Sequence, residues 1–136
     1  MIYLDTNVIV SCVDERDPNH DRALGLLSGL KGEKVVSKLT LVELAAVFSM
    51  ASLQEPIPLA LFSIKSVGAK IVDVDFEEVL KRALSYAVEL RLRTLDLLHV
   101  AISKTIECRG FATLDEDIVK RARDIGERLG IEVVTA

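Results

Sequence analysis

Four acidic residues, far apart in the chain, stand where chemistry is possible. They are Asp5 in MIYLDTNVIV, Glu43 in LTLVELAAV, Asp96 in RTLDLLHVA and Asp115 in FATLDEDI, with Asp117 two residues further on. Asp5 makes the strongest demand. It lies among Ile2, Leu4, Val8, Ile9 and Val10, where an unpaired carboxylate must shift its pKa or find a partner. The other three have a plainer explanation as helix-start residues. Thr40 with Glu43 and Thr113 with Glu116 have capping-box spacing, and Thr94 is placed to cap the helix carrying Asp96. Asp115 would then sit in a first helical turn, where the macrodipole favours it. A strand end gives Asp5 no such dipole and leaves only an Asx-type turn into Thr6 and Asn7.

The joint reading differs from the single ones. In open parallel sheets the functional crevice lies beyond the carboxyl ends of the strands, which is where Asp5, Asp115 and, a little further on, Glu43 fall. Asp96 joins them if its helix starts at the same edge. Two unit charges about 4 Å apart repel by roughly 4 kcal/mol at an effective dielectric near 20. Gathered carboxylates therefore need protonation or a divalent cation. Oxygen donors without a cysteine or histidine cluster select Mg²⁺ or Mn²⁺ over zinc, and such ions keep waters and meet substrate phosphates. In outline this is the pocket of a metal-dependent nuclease.

The elements that must position these acids follow from periodicity. Strands are predicted at 1–5, 33–37, 70–74, 109–113 and 131–135. Helices are predicted at 18–30, 41–51, 59–67, 76–90, 97–107 and 116–129, with a short helical stretch after Asp5. Pro18 suits a first helical turn, and Gly29 and Gly32 bracket that helix's exit. Pro56 and Pro58 break one helix before the next. Asp75 with Glu78 fits a capping box into FEEVLKRALSYAVEL, whose Val79, Leu80, Ala83, Leu84, Ala87 and Leu90 form one apolar stripe. The alternation predicts a single α/β domain over residues 1–136, with a mostly parallel central sheet of four or five strands flanked by helices.

Here a resemblance carries further. DTNV at the N-terminus, L-x-x-x-E after a strand, LDLLHVAIS and FATLDEDI, in that order, resemble the PIN domain, and within it the VapC-type toxins of toxin–antitoxin pairs. The resemblance implies a parallel sheet flanked by helices and divalent-metal-dependent cleavage of RNA. It implies Asp5, Glu43, Asp96 and Asp115 as the acidic quartet, Asp117 as a further acid, and Thr6, Asn7 and Thr113 along the same pocket. Asp5 and Asp96 are then direct metal ligands, Asp115 binds directly or through water, and Glu43 binds metal or orients the attacking water. A cognate antitoxin and a homodimer are the implied partners. A PIN domain that processes or binds RNA within a larger machine, without being a toxin, is the alternative.

Composition agrees. Net charge is −4 and the pI about 5.2, which excludes a broad phosphate-binding surface but allows a local basic strip. Arg91 and Arg93, just ahead of Asp96, are the candidates for holding RNA phosphates. Lys120, Arg121 and Arg123 read as a solvated helix face. No apolar run reaches the roughly 20 residues of a membrane helix, and the N-terminus lacks a basic n-region, so a cytoplasmic protein is expected. Cys12 and Cys108 make no disulfide framework and read as packed thiols. His99, three residues after Asp96, reads as a packed histidine beside the site, and His20 as structural; the aromatic residues read as core. The apolar helices around EPIPL (Val42, Leu44, Val47, Phe48, Leu59, Leu61, Phe62 and Ile64) exceed one stripe and suit a homodimer interface or an antitoxin groove. IVDVD imitates a receiver phosphoacceptor strand, but DTNV lacks the paired acids. A haloacid-dehalogenase-type phosphatase needs a second Asp where Asn7 stands.

Overall fold

Short β-branched and aliphatic runs bounded by turns make the strands, and their alternating side chains decide what covers each face. The computed structural model describes all 136 residues. Its strands are β1 (Ile2–Leu4), β2 (Lys34–Val36), β3 (Ala69–Ile71), β4 (Gly110–Ala112) and β5 (Glu132–Val134). They form one wholly parallel sheet in the order β3-β2-β1-β4-β5. The helices are α1 (Thr6–Val13), α2 (His20–Gly29), α3 (Lys38–Met50), α4 (Pro56–Ser66), α5 (Phe76–Leu90), α6 (Thr94–Thr105), α7 (Glu116–Val119) and α8 (Ala122–Leu129).

The central strands β1, β2 and β4 are buried on both faces, as a parallel sheet requires, while the edge strands β3 and β5 are partly exposed. Ile2, Leu4, Val36 and Ala112 pack on one face with Val8 and Ile9 of α1, Leu26 of α2, Leu44 of α3 and Ile64 of α4. Tyr3, Val35 and Phe111 point to the other, against Val79 of α5, Val100 of α6 and Ile125 of α8. The strand order fixes the location of function. From β1 the chain moves outward through β2 and β3, then returns to place β4 on the other side of β1. The crevice between the carboxyl ends of β1 and β4 is therefore the switch point of the sheet.

Several local expectations need correction. The helix predicted at 116–129 is two, α7 and α8, interrupted at Lys120 and Arg121. Pro56 and Pro58 do not separate helices; they lie in the first turn of α4, where proline's missing N–H costs nothing. Pro18 precedes α2, whose N-cap is Asn19. Asp75 caps α5 by accepting from the Glu77 amide. Leu80 and Leu84 are exposed together with Val88, so of the α5 stripe Val79, Ala83 and Leu90 are buried in the core and half-buried Ala87 packs against it. No helix is long and apolar enough to cross a membrane.

Candidate active site

Asp5 follows β1 directly and begins α1 as its N-cap, so the sequence reading that denied it a helix terminus was wrong. Its Oδ1 accepts from the Thr6 amide at 2.9 Å. Its Oδ2 accepts from the Thr113 hydroxyl at 2.7 Å and from Asn7 Nδ2 at 3.3 Å. Asn7 Oδ1 in turn accepts from the Leu114 amide at 3.2 Å, tying α1 to the end of β4. Burial, the largest influence, holds the Asp5 pKa above the usual carboxylate range, with His99 and Thr113 opposing and Glu43 adding to the rise.

The capping expectations for the other acids also change. At α3 it is Thr40 that answers the Ser37 amide, at 3.4 Å, which leaves Glu43 free for other work. Glu43 Oε1 accepts from the Thr6 hydroxyl at 2.6 Å and faces His99 Nε2 at 2.8 Å. A carboxylate only accepts, so Nε2 is the donor. Burial works to raise the Glu43 pKa, but these two bonds and the neighbouring imidazole overcome it and hold the group below its ordinary value. Asp115 caps α7 through the Asp117 amide at 2.8 Å, rather than sitting inside the first turn, and its own amide donates to Thr113 Oγ1 at 2.9 Å. Asp96 does lie in the first turn of α6, whose N-cap is Arg93 rather than Thr94.

All four acids line one cavity of about 370 Å³, together with Asn7, Arg93 and Leu95. Thr6 and Thr113 stand behind it as hydrogen-bond donors to its carboxylates. Asp117 is exposed at its margin, reached only through Arg93 at 4.0 Å. Arg91 does not line the cavity; its left-handed backbone (φ 52°) ends α5 and turns the chain so that Arg93 enters it. His20 Nδ1 bonds to the Ser11 carbonyl oxygen at 2.8 Å, a structural tie, and both cysteines are unpaired.

Sequence reasoning missed Tyr3. Its hydroxyl, wholly buried, lies 2.7 Å from His99 Nδ1, 2.9 Å from Ser37 Oγ and 3.3 Å from Thr40 Oγ1. His99 bridges Tyr3 at Nδ1 and Glu43 at Nε2, and which of Nδ1 and the Tyr3 hydroxyl donates follows the form of the ring. A single polar chain thus runs from the end of β2 to the cavity. The only signal was a hydroxyl-bearing ring in an otherwise aliphatic strand.

Asp96 carries the mutual repulsion. Its pKa is raised from 3.8 to about 6, by burial first and then by Asp115 and Asp5, against Arg93 and His99. Its Oδ2 is buried with no hydrogen-bond partner. A carboxyl raised on folding contributes stability that is full below about pH 3.8 and is lost as pH rises through about 6. Asp96→Asn should therefore raise the melting temperature of the metal-free protein at pH 7 by a few degrees, roughly 1 kcal/mol after solvent screening. At pH 4 the gain should nearly vanish. A calorimetric melt at the two pH values checks it, and an equal shift at both would remove the repulsion argument.

The donor chemistry fits a hard divalent cation: the four acids offer only carboxylate oxygens, and one of them is orphaned and buried. Their present spacing is not yet a cage, since no three His, Cys, Asp or Glu side chains are arranged to hold an ion.

Comparison with known proteins agrees with this fold. The fold is similar to VapC20 of Mycobacterium tuberculosis, described as a toxin that cleaves the sarcin–ricin loop (TM-score 0.71, 16% identity, covering 88% of this chain and 94% of that one). It is also similar to a toxin–antitoxin complex from Klebsiella pneumoniae (TM-score 0.68, 17% identity, 99% and 97% covered). A third likeness is to VapBC-1 from nontypeable Haemophilus influenzae (TM-score 0.68, 17% identity, 99% and 98% covered). The chain matches no curated protein sequence. Residues 2–124 match the family model of the PIN domain, and the chain belongs to that family.

Proposed function

We propose that this protein is a divalent-metal-dependent ribonuclease and the toxin of a toxin–antitoxin pair. The observation that supports this best is the convergence of Asp5, Glu43, Asp96 and Asp115 on one cavity at the switch point of the sheet. Bound there, Mg²⁺ or Mn²⁺ would supply charge neutralisation at the scissile phosphate and a more acidic water. Asp5, Asp96 and Asp115 would hold it, and Glu43 would either join them or take a proton from a water. Its lowered pKa keeps it ionised at neutral pH. Thr6 and Thr113 fix the carboxylates of Glu43 and Asp5, and Asn7 bridges Asp5 to the β4 end. Asp117 adds negative charge at the margin.

Arg93, and Arg91 on the turn beside it, are the residues offered to backbone phosphates. A toxin of this kind would act on RNA in the cytoplasm. Exposed Val42, Met50, Ile57, Leu61 and Phe62 on α3 and α4 form an apolar face suited to a second copy of the chain or to an antitoxin segment. Of the residues named there from sequence, Leu44, Phe48 and Ile64 instead serve the core.

The decisive assay is RNA cleavage with and without metal. Mg²⁺ or Mn²⁺ should give cleavage, excess EDTA should abolish it, and added Mg²⁺ should restore it. RNA left intact in every condition, or cut equally with EDTA present, overturns the nuclease reading.

A further inference from the structure

Arg93 is the one cation that reaches into the acidic cavity, and its contacts are unusual for a surface arginine. Its Nε lies 3.8 Å from Asp96 Oδ2, the buried oxygen with no hydrogen-bond donor. Its Nη2 lies 3.6 Å from Asp115 Oδ2 and 4.0 Å from Asp117 Oδ2. One guanidinium therefore faces three carboxylates on two different helix starts. None of these pairs is at tight hydrogen-bond distance, and the Arg93 side chain is 77% exposed. Such contacts are weak singly, and the side chain has open solvent into which it can swing.

Resting on the proposed metal-dependent reading, we infer that Arg93 is the internal counter-cation of the metal-free site, displaced when a divalent ion binds between the carboxylates. The turn at Arg91 fixes where this side chain starts, and its guanidinium faces Asp96 and Asp115 together. Displaced, the same group is free at the mouth of the cavity, where it meets a backbone phosphate of the substrate. One residue thus opposes metal binding and favours RNA binding.

The test is Mn²⁺ titration, without RNA, of wild type, R93Q, R93K and Asp5→Asn by calorimetry, with melting curves in parallel. R93Q should bind Mn²⁺ about fivefold more tightly, since weak ion pairs no longer compete. Its metal-free melting temperature should fall while its Mn²⁺-saturated one stays at the wild-type value. R93K, which keeps the charge, should bind Mn²⁺ as wild type does, and R93Q should bind single-stranded RNA more weakly with a flatter salt dependence. Unchanged or weaker Mn²⁺ binding by R93Q, with wild type binding normally, overturns the inference and leaves the nuclease reading standing. Failure of wild type and R93Q alike to bind Mn²⁺ above the level of Asp5→Asn overturns both.

Discussion

Asp5→Asn is expected to yield a folded protein whose Mg²⁺-dependent RNA cleavage has fallen by roughly 10²–10³-fold or more, the scale of losing one preorganised charge-stabilising group. Asparagine is the informative replacement because Asp5 has two jobs. As N-cap of α1 it accepts from the Thr6 amide, and Asn caps helices about as well as Asp. Alanine would remove the cap and orphan the Thr113 hydroxyl, costing about 1–2 kcal/mol and confusing lost chemistry with lost structure. Burial and the Glu43 charge make ionised Asp5 costly, which offsets the bonds lost because an amide has one acceptor oxygen where Asp5 uses two, so the metal-free melting temperature should stay near that of wild type. Single-turnover cleavage beside a melting curve separates the two effects. An Asn variant that cuts RNA within a few-fold of wild type would take Asp5 out of the chemistry.

The parts of the molecule that were legible in the sequence share a physical cause. Four of the five strand centres match expectation because a buried parallel strand is a run of β-branched and aliphatic residues; β3 lies two residues earlier than expected, at Ala69–Ile71 rather than 70–74, its last two residues exposed at the sheet edge. At those four strands the predicted ends run one residue beyond the strand on each side, yet pairing persists there. The Asp5 amide donates to the Ala112 carbonyl at 2.9 Å, and that of Thr113 to Val134 at 3.0 Å. Helix starts were placed too late at α3, α4 and α6 because apolar periodicity begins after the first turn, whereas the backbone is already helical at Lys38, Pro56 and Thr94. The break at Lys120 and Arg121 carries no glycine or proline to announce it. The four acids stood out because charge in an apolar setting is informative. What positions Glu43 did not, since Tyr3 and His99 look in sequence like any other ring packed in a core.

That hidden pair gives the second large expectation. His99→Leu should lower stability by about 2 kcal/mol or more and lower RNA cleavage well beyond the fraction unfolded. His99 is buried and bonded at both ring nitrogens, to Tyr3 and to Glu43. Leucine matches much of its bulk but takes away the Nε2–H donor, leaving Glu43 with the Thr6 hydroxyl alone. Burial then acts on Glu43 with less opposition, so its pKa climbs from its lowered position. A group with a lowered pKa contributes stability above its ordinary value, 4.5, that is lost as pH falls through the folded-state pKa. The variant should therefore lose its stability advantage over that window, and the acid limb of its rate profile should move to higher pH. His99→Gln separates positioning from packing, because its amide can still donate toward Glu43. It should recover most of the cleavage while remaining less stable than wild type, since Tyr3 loses its imidazole partner. Tyr3→Phe should cost stability with a smaller change in rate, as both donors to Glu43 survive. If His99→Leu and His99→Gln melted alike and cut RNA alike, at an unchanged pH optimum, the imidazole would be filling space and the carboxylate would need no such support.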